Sequence, residues 1–129
     1  MYMKELFDKF GTGLLSLPKA VRYFEEIEWR KHPDFEGVEL KDIITEKDTD
    51  SKFSYHLVRI APNMKIGCHI HTDHIETHEI IGGSGLCINE GTQIEYRTGV
   101  HSIIKCGIAH EVVAGANGLY IFAKFIRMK

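Results

Sequence analysis

The sequence is poor in the residues that staple, anchor or extend a chain. Its 129 residues include three cysteines, three prolines and one tryptophan. Cys68, Cys87 and Cys106 are an odd number with no C-x-x-C pair among them, which argues against a disulfide framework and against a cysteine-rich zinc site. A reducing compartment suits such usage, so a cytoplasmic location is expected. No apolar run approaches the ~18–20 residues that a membrane-spanning helix needs. The N-terminal MYMKELFDKFGTG has no uninterrupted apolar stretch and does not read as a signal peptide. Lysine and arginine form no block, and a formal net charge of −2 supplies no basic field. Neither a membrane nor a nucleic-acid partner is therefore expected.

What is present is an apolar fraction of 43%, enough for one compact domain at this length. Residues 1–37 read as an N-terminal extension and residues 38–129 as the main domain. Met3–Phe10 is expected to be a short helix. Pro18, following Ser16 as a cap, is expected to start a second helical stretch through Glu26. Trp29–Asp34 reads as extended or turning. The extension cannot bury a core alone, so a lid, an edge strand or a dimer arm is expected. From Val38 onward short strand-like runs alternate with Gly, Asn and Asp turns. They are Glu39–Ile44, Phe53–Ile60, Cys68–His71, Thr77–Ile81, Leu86–Asn89, Gln93–Tyr96, Ser102–Ile104, Glu111–Ala114 and Tyr120–Ile126. That rhythm indicates an all-β sandwich or barrel. The run Gly82-Gly-Ser-Gly85 reads as a tight turn between two strands. It opens no helix, so a phosphate-binding loop is not expected there.

Histidine is the anomaly. Of eight histidines, six fall between positions 69 and 110. His69 and His71 stand at i and i+2, a spacing that projects both imidazoles from one face of a strand and sends Ile70 to the other. Glu76 follows after a tight loop, so the returning strand can bring its carboxylate beside them. His110, opening a later strand, is the natural fourth ligand. Cys68 alternates away from the set.

Two segments resemble the motifs of the cupin superfamily. His69, His71, Glu76 and Gly83 fall on the spacing H-x-H-x(3,4)-E-x(6)-G. Gly99, Gly107 and His110 fall on that of G-x(5)-P-x-G-x(2)-H-x(3)-N, with Lys105 in place of the proline and Ala114 in place of the asparagine. The resemblance covers roughly residues 50–126. It implies an antiparallel jelly-roll β-barrel of six to eight strands, with His69, His71, Glu76 and His110 holding one divalent transition metal ion in its mouth. Imidazole and carboxylate donors suit Fe, Mn, Ni, Co, Cu or Zn. The spacing to Gly83 ranks Glu76 above His74, which follows His71 as closely.

His78 stands two residues after Glu76 and so shares its inward face. An imidazole, which titrates near neutrality, would there serve as general acid/base or orient Glu76 through a hydrogen bond. Val112 and Ile80 are expected as apolar walls. Tyr55, Tyr96, Tyr120, Phe122 and Phe125 read as barrel packing, Cys106 as an inert turn residue, His56 and His101 as surface or satisfied positions, and His32, beside Pro33, as exposed. The expected function is that of a metal-dependent enzyme, of isomerase, decarboxylase or lyase type, acting on a small sugar-derived or carboxylate metabolite. An iron-dependent dioxygenase and a non-catalytic small-molecule sensor are the alternatives. A homodimer is expected from the resemblance and from strand edges that need cover.

Overall fold

A computed structural model of the chain describes residues 3–128. Helix α1 (Met3–Phe10) forms where the sequence places it, with Glu5 in its first turn and Lys9 in its last, each complementing the helix dipole. It buries Phe7, which is 1% exposed. The stretch read as a second helix is instead a β-hairpin. Strand β1 (Leu14–Leu17) pairs antiparallel with β2 (Ala20–Tyr23) across Pro18-Lys19, and one 3₁₀ turn at Phe24–Glu26 follows. Pro18 fixes the first turn residue and Lys19 takes a φ of +63°, the combination of a type II turn. A helix starting at Pro18 would need residue 19 right-handed, and Ser16 lies inside β1 rather than capping anything.

One ion pair ties the hairpin to the main domain. Arg22 reaches both carboxylate oxygens of Asp48, at 2.6 and 2.8 Å. Asp48 also closes a capping box with Thr45 on the 3₁₀ turn Glu46–Thr49. The Arg22 guanidinium holds the Asp48 carboxyl well below its ordinary range, with burial opposing and Thr45 assisting. A depressed carboxylate stabilises above the unfolded-chain pKa of ~3.9, and its contribution fades as pH falls below that value. Amide exchange in the hairpin should therefore accelerate below about pH 4 relative to the barrel strands. In Asp48→Asn it should already be fast at neutral pH. An unchanged hairpin in that variant would remove the tether from the account.

The other eight strands form one antiparallel sheet curled into two walls. They are β3 (Arg30–Lys31), β4 (Val38–Ile44), β5 (Phe53–Ile60), β6 (Lys65–His69), β7 (His74–Asn89), β8 (Thr92–Arg97), β9 (His101–Ile104) and β10 (His110–Arg127). The larger wall runs β3-β4-β5-β10-β7-β9 and the smaller β6-β10-β7-β8. Strands β7 and β10 belong to both. The runs Thr77–Ile81 and Leu86–Asn89, expected as separate strands about a Gly82–Gly85 turn, are therefore one strand, and so are Glu111–Ala114 and Tyr120–Ile126. The glycines bend the chain instead of reversing it. A side chain at Gly83 would meet the Gly118 carbonyl oxygen at 2.1 Å, and the β7–β10 register shifts between Ala114 and Leu119. The expected strand Cys68–His71 is also displaced, since β6 ends at His69 and leaves His71 in the following loop.

Alternation sorts the core into two layers. Val38, Leu40, Val58, Ile60, Ile80, Val112, Leu119 and Ile121 fill the interior between the walls. Leu57, Ile43 and Phe122 face outward from the larger wall and are covered by Phe7, Phe24, Leu15 and Trp29 of the extension. Tyr55 and Tyr120 join this outer layer rather than the barrel interior. Each fully buried apolar side chain contributes about 1.5–3 kcal/mol, so a covering layer of this size matters to the whole domain. The extension then returns over the top. Arg30–Lys31 adds an edge strand to β4, and His32–Phe35 borders the interior cavity. Among the described residues no helix is long and apolar enough to cross a membrane.

Candidate metal centre

Four side chains from three strands and one loop meet in the mouth of the barrel. His69 ends β6 and lies directly opposite His110, the first residue of β10. His71 follows in the loop, whose carbonyl accepts the Gly107 N–H at 2.7 Å. Glu76 stands near the start of β7, in register with Phe125 of β10 and Ile104 of β9. The turn that delivers His110 has Lys105 where the motif has proline, and it is closed by the Ile108 N–H on the Lys105 carbonyl and by the Gly107 bond to His71. One ligand atom from each of His69, His71, Glu76 and His110 lies within 4.8 Å of the others. Glu76 and His110 are 5% and 1% exposed.

The hydrogen bonds decide where the lone pairs point. His69 Nδ1–H donates to the Gly67 carbonyl at 2.8 Å and His110 Nδ1–H to the Ile108 carbonyl at 3.0 Å. Each neutral ring then presents its Nε2 lone pair to the cavity. His69 Nε2 and His71 Nε2 stand 3.0 Å apart. Glu76 Oε1 is 2.9 Å from His71 Nε2 and 3.6 Å from His110 Nε2. Yet Glu76 Oε1 and His110 Nε2 are buried without a hydrogen bond. Buried acceptors facing one another are costly unless a cation sits among them. Donors bound at ~2.1 Å to a transition ion and set at right angles stand about 3.0 Å apart, so the set fits such an ion.

Glu76 dominates the electrostatics of the set: burial pulls the His110 imidazole down, but Glu76 and the Ile108 carbonyl outweigh it and raise it. Burial pushes the Glu76 carboxyl up, but His78, His110 and His71 outweigh it and hold the group well below the ordinary carboxylate range. Burial pulls the His69 imidazole down, toward the neutral form that can ligate. The other oxygen of Glu76 is held by His78. His78 Nε2–H donates to Glu76 Oε2, and the Tyr96 hydroxyl donates to His78 Nδ1 at 2.8 Å. Burial raises the Tyr96 phenol above its ordinary value, which keeps it a donor.

His74 lies beside this group rather than in it. Its Nδ1 is engaged by Asp73 at 2.8 Å, and its ring centroid is 4.3 Å from that of His71. His32, expected at the surface, is half-buried and lines the cavity with Phe35. Val112 is a cavity wall, and Ile80 is buried in the core next to it. His101 is exposed and bonded to the Gly99 carbonyl. Cys68 is exposed, Cys106 is half-buried in its turn and Cys87 is buried. Tyr96 is the participant that the sequence concealed, since a tyrosine on a strand reads as packing. Only its strand parity, which points it inward opposite His78, could have marked it.

The four donors sit in a cavity of about 460 Å³. Its walls are apolar, with Val38, Leu40, Val58 and Ile121, and its rim carries Arg30 and Asp34.

No protein-family model matches the sequence, and no curated protein matches it. Solved structures are similar in fold. A predicted oxalate decarboxylase from Thermotoga maritima is 20% identical with a TM-score of 0.74, over 81% of this chain and 96% of that one. KdgF from Halomonas sp. is 17% identical with a TM-score of 0.68, over 81% and 92%. The Cnp3 cupin domain of Schizosaccharomyces pombe is 10% identical with a TM-score of 0.70, over 89% and 86%.

Proposed function

We propose that this chain, which has the cupin fold, is an enzyme that holds one divalent transition ion on His69, His71, Glu76 and His110 and converts a small sugar-derived or carboxylate metabolite. The observation that carries this is the pair of buried, unpartnered acceptors, Glu76 Oε1 and His110 Nε2, converging with two further imidazole nitrogens at the base of a cavity. When bound, the ion supplies Lewis acidity toward a carbonyl or enolate oxygen, which suits isomerase, decarboxylase or lyase chemistry. The apolar walls exclude water, and the rim, with Arg30 and Asp34, offers polar contacts to the far end of an oxygen-rich ligand.

His78 has two tasks in this reading. Its bond to Glu76 fixes which carboxylate oxygen faces the imidazoles, and Tyr96 locks its ring. It also lines the cavity and is the candidate general acid/base. Because both ring nitrogens are engaged, the orienting task is present in the resting protein. Proton transfer to a substrate would require the Nε2–H to leave Glu76.

Protein purified without chelator should carry about one transition ion per chain by elemental analysis, the number one such centre holds. Iron-, manganese- and zinc-loaded protein should then turn over at least one member of a panel of small keto, aldo and carboxylic acids. A protein that is metal-free and refuses added metal would overturn the centre. Saturable binding without product for every loaded form would replace the enzyme by a sensor.

A further inference from the structure

The polar lining of the larger wall continues past the metal centre, on the other side of Phe125. That ring lies 5.8 Å from His71 and 5.0 Å from His56, centroid to centroid. Beyond it is a second cavity of about 390 Å³ whose lining includes Arg30, Asp42, Ser54 and His56. Ser54 and His56 alternate on β5 and so face the same way, and Asp42 of β4 is the register partner of His56.

The three side chains form a directed chain of hydrogen bonds. Ser54 Oγ is 2.8 Å from His56 Nε2, and His56 Nδ1 is 2.7 Å from Asp42 Oδ1. Arg30 fastens the carboxylate from behind, with Nε at 2.7 Å and Nη2 at 3.0 Å. Burial pushes the Asp42 carboxyl up, but His56 and Arg30 outweigh it and keep it ionised well below the usual range. An ionised Asp42 takes the Nδ1–H of His56, which fixes the tautomer and leaves the Nε2 lone pair for the Ser54 hydroxyl proton. Nucleophile, base and orienting carboxylate thus stand in the order and at the distances that acyl transfer uses.

We propose that Ser54, His56 and Asp42 form a second reactive centre that cleaves small carboxylic esters, independent of the metal ligands. Ser54 Oγ bonds to the ester carbonyl carbon as its proton passes to His56 Nε2. The carbon–oxygen bond to the leaving alcohol breaks as His56 returns that proton to the alcohol. Water then attacks the acyl-serine, giving one proton to His56, which restores the Ser54 hydroxyl as the carboxylic acid departs.

The test uses the full chain stripped of metal by chelator, so that it stands apart from the metal centre. A fluorophosphonate probe, read by intact mass and peptide mapping, should place one adduct on Ser54. Hydrolysis of p-nitrophenyl acetate should fall by about 100-fold or more in Ser54→Ala, the scale at which loss of a nucleophile–base pair is felt. Wild-type protein with no adduct at Ser54, or an unchanged rate in Ser54→Ala, would overturn the proposal. The labelling of wild type decides the matter even if the variant fails to fold.

Discussion

Glu76→Gln is expected to raise the dissociation constant for a divalent transition ion at least ~100-fold, more than removal of a supporting partner does. The reason is charge rather than shape. Three neutral imidazoles leave a buried divalent ion with its full charge, and Glu76, 95% removed from solvent, is the one anion in the set. An uncompensated charge in such a site is expensive. Glutamine keeps the volume and can still accept at one oxygen, so the metal-free fold should survive. The measurement is a thermal or urea unfolding series with added Co(II) or Zn(II). At an ion concentration 100 times its dissociation constant, wild type should gain about 2.7 kcal/mol, and a variant that binds ~100-fold more weakly only about 0.4 kcal/mol. Equal gains would remove Glu76 from the ligand set. Tyr96→Phe gives the contrast. It acts only through His78, so its loss should stay within the ~10–100-fold typical of outer partners.

That contrast separates what could be read in the sequence from what could not. The spacing of His69 and His71 carries geometric information because a strand repeats every two residues, and Glu76 lies close enough along the chain for one turn to return it. His110 is legible for a different reason, since its segment matches a motif even though β10 reaches β6 only through folding. Tyr96 and Asp42 have no such marker. Asp42 meets His56 across the β4–β5 register, and Tyr96 of β8 reaches His78 of β7 although their strand partners are Gly85 and Ser102; a register one residue away would send either side chain to the opposite face. His56 was expected to be satisfied or at the surface. It is satisfied, by partners 2 and 14 residues away, and the 14-residue link is invisible to local pattern.

The misread elements share a cause. Pro18 fits both the first turn of a helix and the second residue of a type II turn, and the choice rests on Lys19 accepting φ +63°, an unusual conformation that the residue type does not announce. The glycine runs at 82–85 and 115–118 were expected to mark reversals. Here they mark close approach of two continuous strands, which is a property of the pair and not of either segment.

That close approach carries the last prediction. Gly83→Ala should destabilise the protein by about 3–5 kcal/mol, near the top of the range for single substitutions. Gly83 has φ +79°, so any side chain there bears backbone strain of ~1–3 kcal/mol. In addition its Cβ would stand 2.1 Å from the Gly118 oxygen, 2.8 Å from the Gly118 carbonyl carbon and 3.0 Å from Leu119 Cα. All three are backbone atoms of the paired strand, with no rotamer by which to move aside, so overpacking adds a further ~1–3 kcal/mol. Gly91→Ala isolates the first term. Gly91 has φ +81°, and a Cβ there meets nothing within 4 Å. Urea unfolding with a constant m-value should therefore show the Gly83 variant losing roughly twice as much as the Gly91 variant. Equal losses would mean that the crossing tolerates separation. The consequence reaches the metal centre, because β7 carries Glu76 and His78 on one side of this crossing and β10 carries His110 on the other. A variant that pries the strands apart should weaken ion binding without touching a ligand.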